Sequence, residues 1–576
     1  GQCRLARQVA KACLASVMAP GPPALQAARA PRCRSVRSAT FLCSGAAVGG
    51  GLGFVACGSR AGGSGGSSGT QVAAVDKRAA WSMPSEVPTA QRPLEEGARR
   101  LLSGELGAPL ATLPASLRPA GRPRRVSGRS LSTVVRRTSV TVATEQNKLP
   151  PLLRLQRDEA LWSLARPTIV IALLRSAYGI IDSVWVGRLG AAELEAMGAS
   201  SFAFWVLLLL GEVASLGVHA VAAAREGAGQ RRGVGDAVVQ GLWFSGICGV
   251  LAMTLLPLIP SYFGLLGIPA GSQAFAPGSA YLRGLVWGVV PLTASGVLAS
   301  GFKGVAELHP VLTVNAVCAA LNFALDPLLM WGLLGFPAMG VAGAAVATNV
   351  CSLVASVLSF WLLLKQGVPM RWAAPDLRTL ALITRIGLPV SLGGILFTGI
   401  YIALGRLLGS LGGANLAALG LGHRVEAFAY TVCEGFGAAA ATIVGQWLGA
   451  GCERQARESA AHAARVAGWV MLPLAMLFVA LARPIVSLIT NDPATIGPAV
   501  SYLYIVSITF PLMGVEHVMD GALTGAGDTT PSLLWGLLLN LARLPAALWL
   551  CRRFGVEGVW TAITVSTALK AVVKWR

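Results

Sequence analysis

The sequence predicts an all-α membrane protein, with twelve transmembrane helices in two parallel six-helix lobes around a central cleft. Three observations carry that prediction. Only 13% of the 576 residues are charged while 54% are hydrophobic, and the mean hydropathy is +0.63. A soluble domain usually carries about 25% charged residues, so a chain this apolar must place its surface in lipid. From Trp162 onward, apolar stretches long enough to cross a bilayer recur between short breaks marked by Gly, Pro and charge. Finally, the second half of that region repeats the first.

The first element is a tail. Residues 1–145 are rich in Ala, Arg, Ser, Gly and Pro, and Asp76 is the only acid among the first 80. The run GGSGGSSG at 62–69 is of low complexity, and Arg clusters at 32–37, 122–125 and 136–137. Such a composition buries too little apolar surface to fold alone and matches an organelle transit peptide, plastid or mitochondrial. A disordered basic tail on a vacuolar or plasma-membrane protein is the alternative. The formal charge of +21 belongs mainly to this tail, since residues 1–146 carry 20 Lys and Arg against 6 Asp and Glu. No basic, aromatic-interleaved face follows it, which argues against nucleic-acid binding. The 11 cysteines form no CxxC pair and no Cys/His cluster, so neither a disulfide framework, a metal site nor a cofactor is indicated.

The spans come next. A helix needs about 20 mostly apolar residues to cross the hydrocarbon. The first six are expected at 162–186, 198–224, 236–258, 279–301, 311–333 and 340–364. The second six are expected at 380–407, 418–445, 458–481, 500–522, 532–550 and 556–574. The domains are then a tail (1–145), a first lobe (158–364), a connecting loop (365–379) and a second lobe (380–576). Arg225, Arg231, Arg232, Lys303, Lys365, Arg371, Arg378, Arg454 and Arg457 fall in one set of loops. Positive loops face the cytosol or its topological equivalent, the plastid stroma.

The repeat is direct. A shift of 222 residues lays VGRLGAAELEAMG (186–198) on LGSLGGANLAALG (408–420) with seven of thirteen identical. It also pairs Pro167 with Pro389, Glu212 with Glu434, and GAG at 227–229 with GAG at 449–451. A shift of 221 pairs Gly304 with Gly525 and Pro310 with Pro531, and one of 218 pairs Pro327 with Pro545 and Gly340 with Gly558. Six spans return the chain to its starting side, so the repeats are parallel, about an axis along the membrane normal. Two lobes around a midplane cavity are transporter architecture.

Several runs now carry a resemblance. IDSVWVGRLGAAELEAMG (181–198), LNFALDPLLMWG (321–332), GVAGAAVAT (340–348), GQWLGAG (445–451) and GALTGAGDTTP (521–531) occur in order. Together they resemble the multidrug and toxic compound extrusion family over about 158–575, most closely its DinF-like bacterial branch and plastid-type plant and algal relatives. The resemblance implies a monomeric secondary antiporter, not an enzyme, exchanging H+ or Na+ for a small organic compound.

Ionisable groups at membrane depth are costly and mark pathways or partners. Asp182 falls in the first span. Asn322 and Asp326 are four apart in the fifth, on one helix face, with Pro327 beside them. A carboxyl in low-dielectric surroundings favours its neutral form. It can take a proton while the cavity faces an acidic side and release it on the other, in competition with substrate. The resemblance implies that Asp182, Asn322, Asp326 and Thr348 form a proton or cation site in the first lobe. The repeat supports asymmetry, since Asp182 maps to Leu404 and Asp326 to Leu544. The second lobe offers Tyr401, His423, Glu426, Glu434, Glu516 and Asp520 as coupling or substrate candidates, or as interhelical hydrogen-bonding groups. Its seventh span holds no acid, unlike that of many family members. Arg175 and Arg283 are candidate contacts for an anionic substrate, unless each pairs with an acid on another helix.

Three other classes are weaker. A lipid-linked precursor flippase would show extra spans and a basic cavity. A membrane enzyme would need a nucleophile–base pair or metal cluster, whereas the five histidines form no HExxH. A channel would need a selectivity loop.

Overall fold

The computed structural model describes residues 149–266 and 268–575; the expected tail at 1–145 lies outside them. Every regular element among the described residues is helical. A short α1 (Pro151–Arg154) leads into α2 (Arg157–Gly187), α3 (Ala191–Gly227) and α4 (Arg231–Thr254). There follow α5 (Ile259–Leu265), α6 (Phe275–Trp287), α7 (Val289–Gly304), α8 (His309–Met330) and α9 (Val341–Lys365). The second half is α10 (Leu377–Ser410), α11 (Gly413–Gly449), α12 (Glu453–Ile489), α13 (Pro493–Ser507), α14 (Phe510–Gly525), α15 (Thr530–Phe554) and α16 (Val556–Trp575).

Among the described residues ten helices are long and apolar enough to cross a membrane, or up to twelve if each of two bent pairs is one span. The pairs are α6 with α7, bent by 48°, and α13 with α14, bent by 58°. Each was expected as one span, at 279–301 and 500–522. The cause is local: Pro291 cannot donate to the carbonyl of Trp287, nor Pro511 to that of Ser507, so each helix loses its ladder where the bend falls. The two breaks occupy the fourth and tenth spans, matching places in the two halves.

Tertiary packing obeys the same repeat. In the first half α2 packs on α8, α3 on α4 and α7, and α8 on α9; in the second, α10 packs on α15, α11 on α12 and α14, and α15 on α16. The halves meet through α2 against α11 and α10 against α3, which the repeat exchanges, and through α3 against α11.

Glycine permits that last approach. A Cβ at Gly227 would stand 2.0 Å from the Gln446 carbonyl oxygen, and one at Gly449 would stand 1.9 Å from that of Ala224. The two contacts are exchanged by the 222-residue shift. Gly387 lies equally close to the Val213 backbone, and Gly217 to that of Ile383. Backbones this close exclude side chains and water together.

These contacts gather at the end of the bundle that carries the basic loops. Ion pairs Arg157–Glu458 and Asp158–His462 join the halves there. His219 Nε2 lies 2.8 Å from Thr442 Oγ1, and Gln446 Nε2 donates to the Gly304 carbonyl at 2.8 Å. The connecting loop is tied down on the same end: Gln240 donates to the Ala374 carbonyl and accepts from the Asp376 amide, while Trp243 donates to the Ala373 carbonyl.

One backbone position departs from its repeat. Ala306 after α7 has φ +64°, whereas its partner in the second half, Gly527, adopts φ +76° without a Cβ. A left-handed L-residue costs roughly 1–2 kcal/mol, and glycine returns part of that as unfolded-chain entropy. Ala306→Gly is therefore expected to stabilise the protein by up to about 1 kcal/mol, read as a raised midpoint of unfolding in detergent.

Candidate functional site

The polar groups inside the bundle fall into three sets, and the helices that position them follow the two-lobe plan. In the first lobe, α2 brings Asp182 against α8, whose i,i+4 spacing presents Asn322 and Asp326 on one face. Asn322 and Asp326 are fully buried and Asp182 nearly so. Asn322 Nδ2 donates to Asp326 Oδ1 at 3.2 Å, and Asp182 is within hydrogen-bonding reach of both. Tyr281 of α6 and Thr348 of α9 are buried in the same lobe, Tyr281 near both carboxylates. Pro327 stays inside the continuous helix α8.

One oxygen of each carboxyl group, Asp182 Oδ1 and Asp326 Oδ2, is buried without a hydrogen-bond partner, as is Asn322 Oδ1. Among the described residues neither acid forms an ion pair with Lys, Arg or His. Two adjacent carboxylates without a counter-charge carry a large desolvation and repulsion cost, which a bound proton or small cation removes. The donor set is all oxygen, suited to a hard cation or a proton. The four residues singled out in sequence thus sit in one lobe, and three of them touch. Tyr281 was missed; a tyrosine between apolar neighbours in a span gives no separate signal.

The second set lies between the lobes. Arg175, in the body of α2, was considered as an open site for an anion, with pairing to an acid on another helix as the alternative; it is paired. Its Nη2 donates to Glu434 Oε1 of α11 at 2.8 Å. Glu212 of α3 and Lys303 of α7 lie close by, so charged groups from four helices converge. Both members of the pair are about half exposed, 47% and 50%. A charged cluster in mid-bundle does not face lipid, so that exposure is to the space between the lobes. Arg283 of α6 is exposed and stands apart from this group.

The third set is the second-lobe interior, where every acid has company. Tyr502 donates to Glu426 Oε2 at 2.6 Å. Tyr401 packs edge-on against His423 with centroids 4.3 Å apart. Glu516 of α14 meets Lys570 Nζ at 3.0 Å and Lys574 Nζ at 3.1 Å, both from α16, and Asp520 meets Lys574 at 2.8 Å. Asp520 also accepts from Ser532. Two i,i+4 pairs of opposite sign therefore interlock along two helices. Arg543 of α15 is only 1% exposed and donates to Ser566 Oγ at 2.7 Å. The sequence reading missed Arg543, Lys570 and Lys574, although an Arg at the centre of a span and a Lys pair four apart were visible signals.

Comparison with known proteins agrees with this plan. The MatE family profile matches residues 167–328 and 389–549, one segment in each half. The chain is 25% identical over 429 residues to the probable multidrug resistance protein NorM of Thermotoga maritima, covering 71% of this chain and 90% of that one. It is 26% identical over 437 residues to the multidrug resistance protein PmpM of Pseudomonas aeruginosa, covering 73% and 91%. Its fold matches an outward-facing conformation of a multidrug resistance MATE family transporter of the MOP superfamily. That superposition has a TM-score of 0.68 at 24% identity, over 74% of this chain and 95% of the other. The chain belongs to the MatE family, and it is a multi-pass membrane transporter rather than an enzyme.

The ion pairs differ in what they contribute. The half-exposed Arg175–Glu434 pair is screened by water between the lobes, so a double-mutant cycle to Ala is expected to return less than about 1 kcal/mol of coupling. Glu516→Ala instead strands the buried Lys570 and is expected to cost about 3–5 kcal/mol. Equilibrium unfolding in detergent micelles measures both.

Proposed function

We propose that this protein is a cation-coupled antiporter, exchanging H+ or Na+ for a small organic compound by alternating access of its two lobes. The observation that carries the reading is the buried Asp182–Asp326 pair, held with Asn322 and without a basic partner among the described residues. Such a pair has two low-energy conditions: neutralised by a proton or cation, or opened to water. Switching between them biases the lobe between conformations, and a ligand shifts a conformational equilibrium only through such differential affinity. Thr348, in the same lobe, completes the proposed site.

The Arg175–Glu434 pair adds a selectivity element to this reading. Arg175 and Glu434 bridge the lobes across the axis on which they rock, so their pair must open when the lobes part. A substrate with a charged group can then take the place of one partner. The relatives named as multidrug resistance proteins support export of organic compounds. A monomer divided into lobes 158–364 and 380–576, joined by the loop 365–379, fits the single repeat axis. The Arg- and Ser-rich, acid-poor segment 1–145 supports placement in an organelle membrane, plastid above others, with the basic loops toward the stroma.

The test is transport by the reconstituted protein in liposomes under an imposed pH or Na+ gradient. The wild type is expected to drive organic ions against their gradient. Asp182→Asn is expected to lose gradient dependence, by tenfold or more, while still carrying substrate downhill. Unchanged gradient-driven transport by Asp182→Asn and Asp326→Asn moves the coupling site elsewhere.

A further inference from the structure

The repeat that relates the lobes also places a second-lobe counterpart under each residue of the first-lobe site. Tyr281 maps to Tyr502 by the shift of 221, and Asn322 to Asn540 and Thr348 to Ser566 by that of 218. These polar positions persist as buried polar residues. The two acids do not: their counterparts are Leu404 and Leu544, packed in the apolar core of the second lobe. One residue before Leu544 on α15 stands Arg543, whose Nε donates to Ser566 Oγ, the counterpart of Thr348. Its Nη2 reaches Thr567 Oγ1 at 3.4 Å. Its guanidinium lies 5.4 Å from the Tyr401 ring centroid and 5.9 Å from that of Phe397, over both faces.

We infer that Arg543 is a tethered cation, occupying in the second lobe the position that the mobile coupling cation takes in the first. The inference rests on the first-lobe reading above and extends it to the stoichiometry of coupling. A guanidinium keeps its charge at all physiological pH, so a site filled by one neither loads nor releases. The surroundings are balanced accordingly. Glu426 of α11 lies within Coulombic reach of Arg543 and Lys570, Glu516 and Asp520 of α14 are held by Lys570 and Lys574 of α16, and His517 also faces Glu516. Three acids and three fixed cations thus share the second-lobe interior, with Glu426 also accepting from Tyr502. The first-lobe pair, by contrast, has none among the described residues. One lobe is built to wait for a cation and the other carries its own.

The fixed guanidinium has a further consequence for motion. The lysine–carboxylate pairs tie α14 to α16, and Arg543 ties α15 to α16 and, through two aromatic rings, to α10, whether or not an ion is present. The second lobe therefore moves as one body, and conformational response to the ion belongs to α2 and α8.

The experiment measures unfolding midpoints of the purified full chain as Na+ replaces N-methylglucamine, and as pH is varied. A cation that binds only the folded state raises its stability in a saturable way. The wild type is expected to show one such rise, absent from Asp182→Asn. Adding Arg543→Met to Asp182→Asn removes one of the two cations within Coulombic reach of Glu426, and is expected to create a new saturable rise that Glu426→Gln then abolishes. Arg543→Met with Glu426→Gln serves as the charge-neutral variant where Arg543→Met alone does not fold. It should keep the wild-type rise unchanged, as should Arg543→Lys. Loss of that rise in the charge-neutral variant, or no new rise after Arg543→Met in the Asp182→Asn background, overturns the inference. A wild-type rise that survives Asp182→Asn and Asp326→Asn refutes the first-lobe reading instead. The appearance of a Glu426-dependent rise on removing Arg543 then still supports the tethered cation.

Discussion

A charged side chain inside a membrane bundle has to be neutralised where it stands, and that constraint organises this protein. Moving a carboxylate from water into low dielectric costs several kcal/mol even after relaxation, more than a single interhelical contact returns. Each intramembrane acid described above meets the constraint in one of three ways. Glu516, Asp520 and Glu426 have fixed basic or phenolic neighbours. Glu434 borrows Arg175 from the other lobe. Asp182 and Asp326 have only each other and Asn322. The last solution is incomplete as it stands, and incompleteness is what a coupling site requires.

The second constraint is steric. Helices α3 and α11 approach closely enough that Gly227 and Gly449 each touch the other helix's backbone, and the seal between the lobes is built on that contact. Apolar side chains pack beside it, Ile383 and Ile386 of α10 against Val218 and Val221 of α3, and Trp162 of α2 against Phe436 of α11. Polar links, such as His219 with Thr442 and Gln446 with Gly304, give the seal direction at little area. The half-exposed Arg175–Glu434 pair is the place where substrate charge and lobe position meet.

Much of the fold was legible from local features. Twelve apolar stretches, the shifts of 222, 221 and 218, and the i,i+4 spacing of Asn322 and Asp326 are all short-range facts of the sequence. The glycines at 227 and 449 were visible as matching GAG runs, although their role in the lobe contact was not. The bends at 288 and at 508–509 were not legible, because a proline does not by itself break a span: Pro327, whose missing N–H suggested a kink, lies inside the continuous helix α8. Arg543 was passed over because a single cation does not lower the hydropathy of a window enough to break a span. For Arg175 both an anionic substrate and an acid on another helix fitted the sequence, and only the packing of α2 on α11 brings Glu434 to it.

The sequence by itself determined the number of spans, their division into two repeats and the loss of both acids from the second. Hydropathy and helical periodicity act over one or two turns, and each span must be apolar whatever surrounds it. Only the tertiary structure decided which charges are satisfied. Arg175 and Glu434 are 259 residues apart, and Glu516 meets Lys574 across 58. Partners at such distances are chosen by the rotation and vertical register of whole helices. That register comes from the close-packed glycine contacts and proline breaks acting together, and no local stretch of chain contains it.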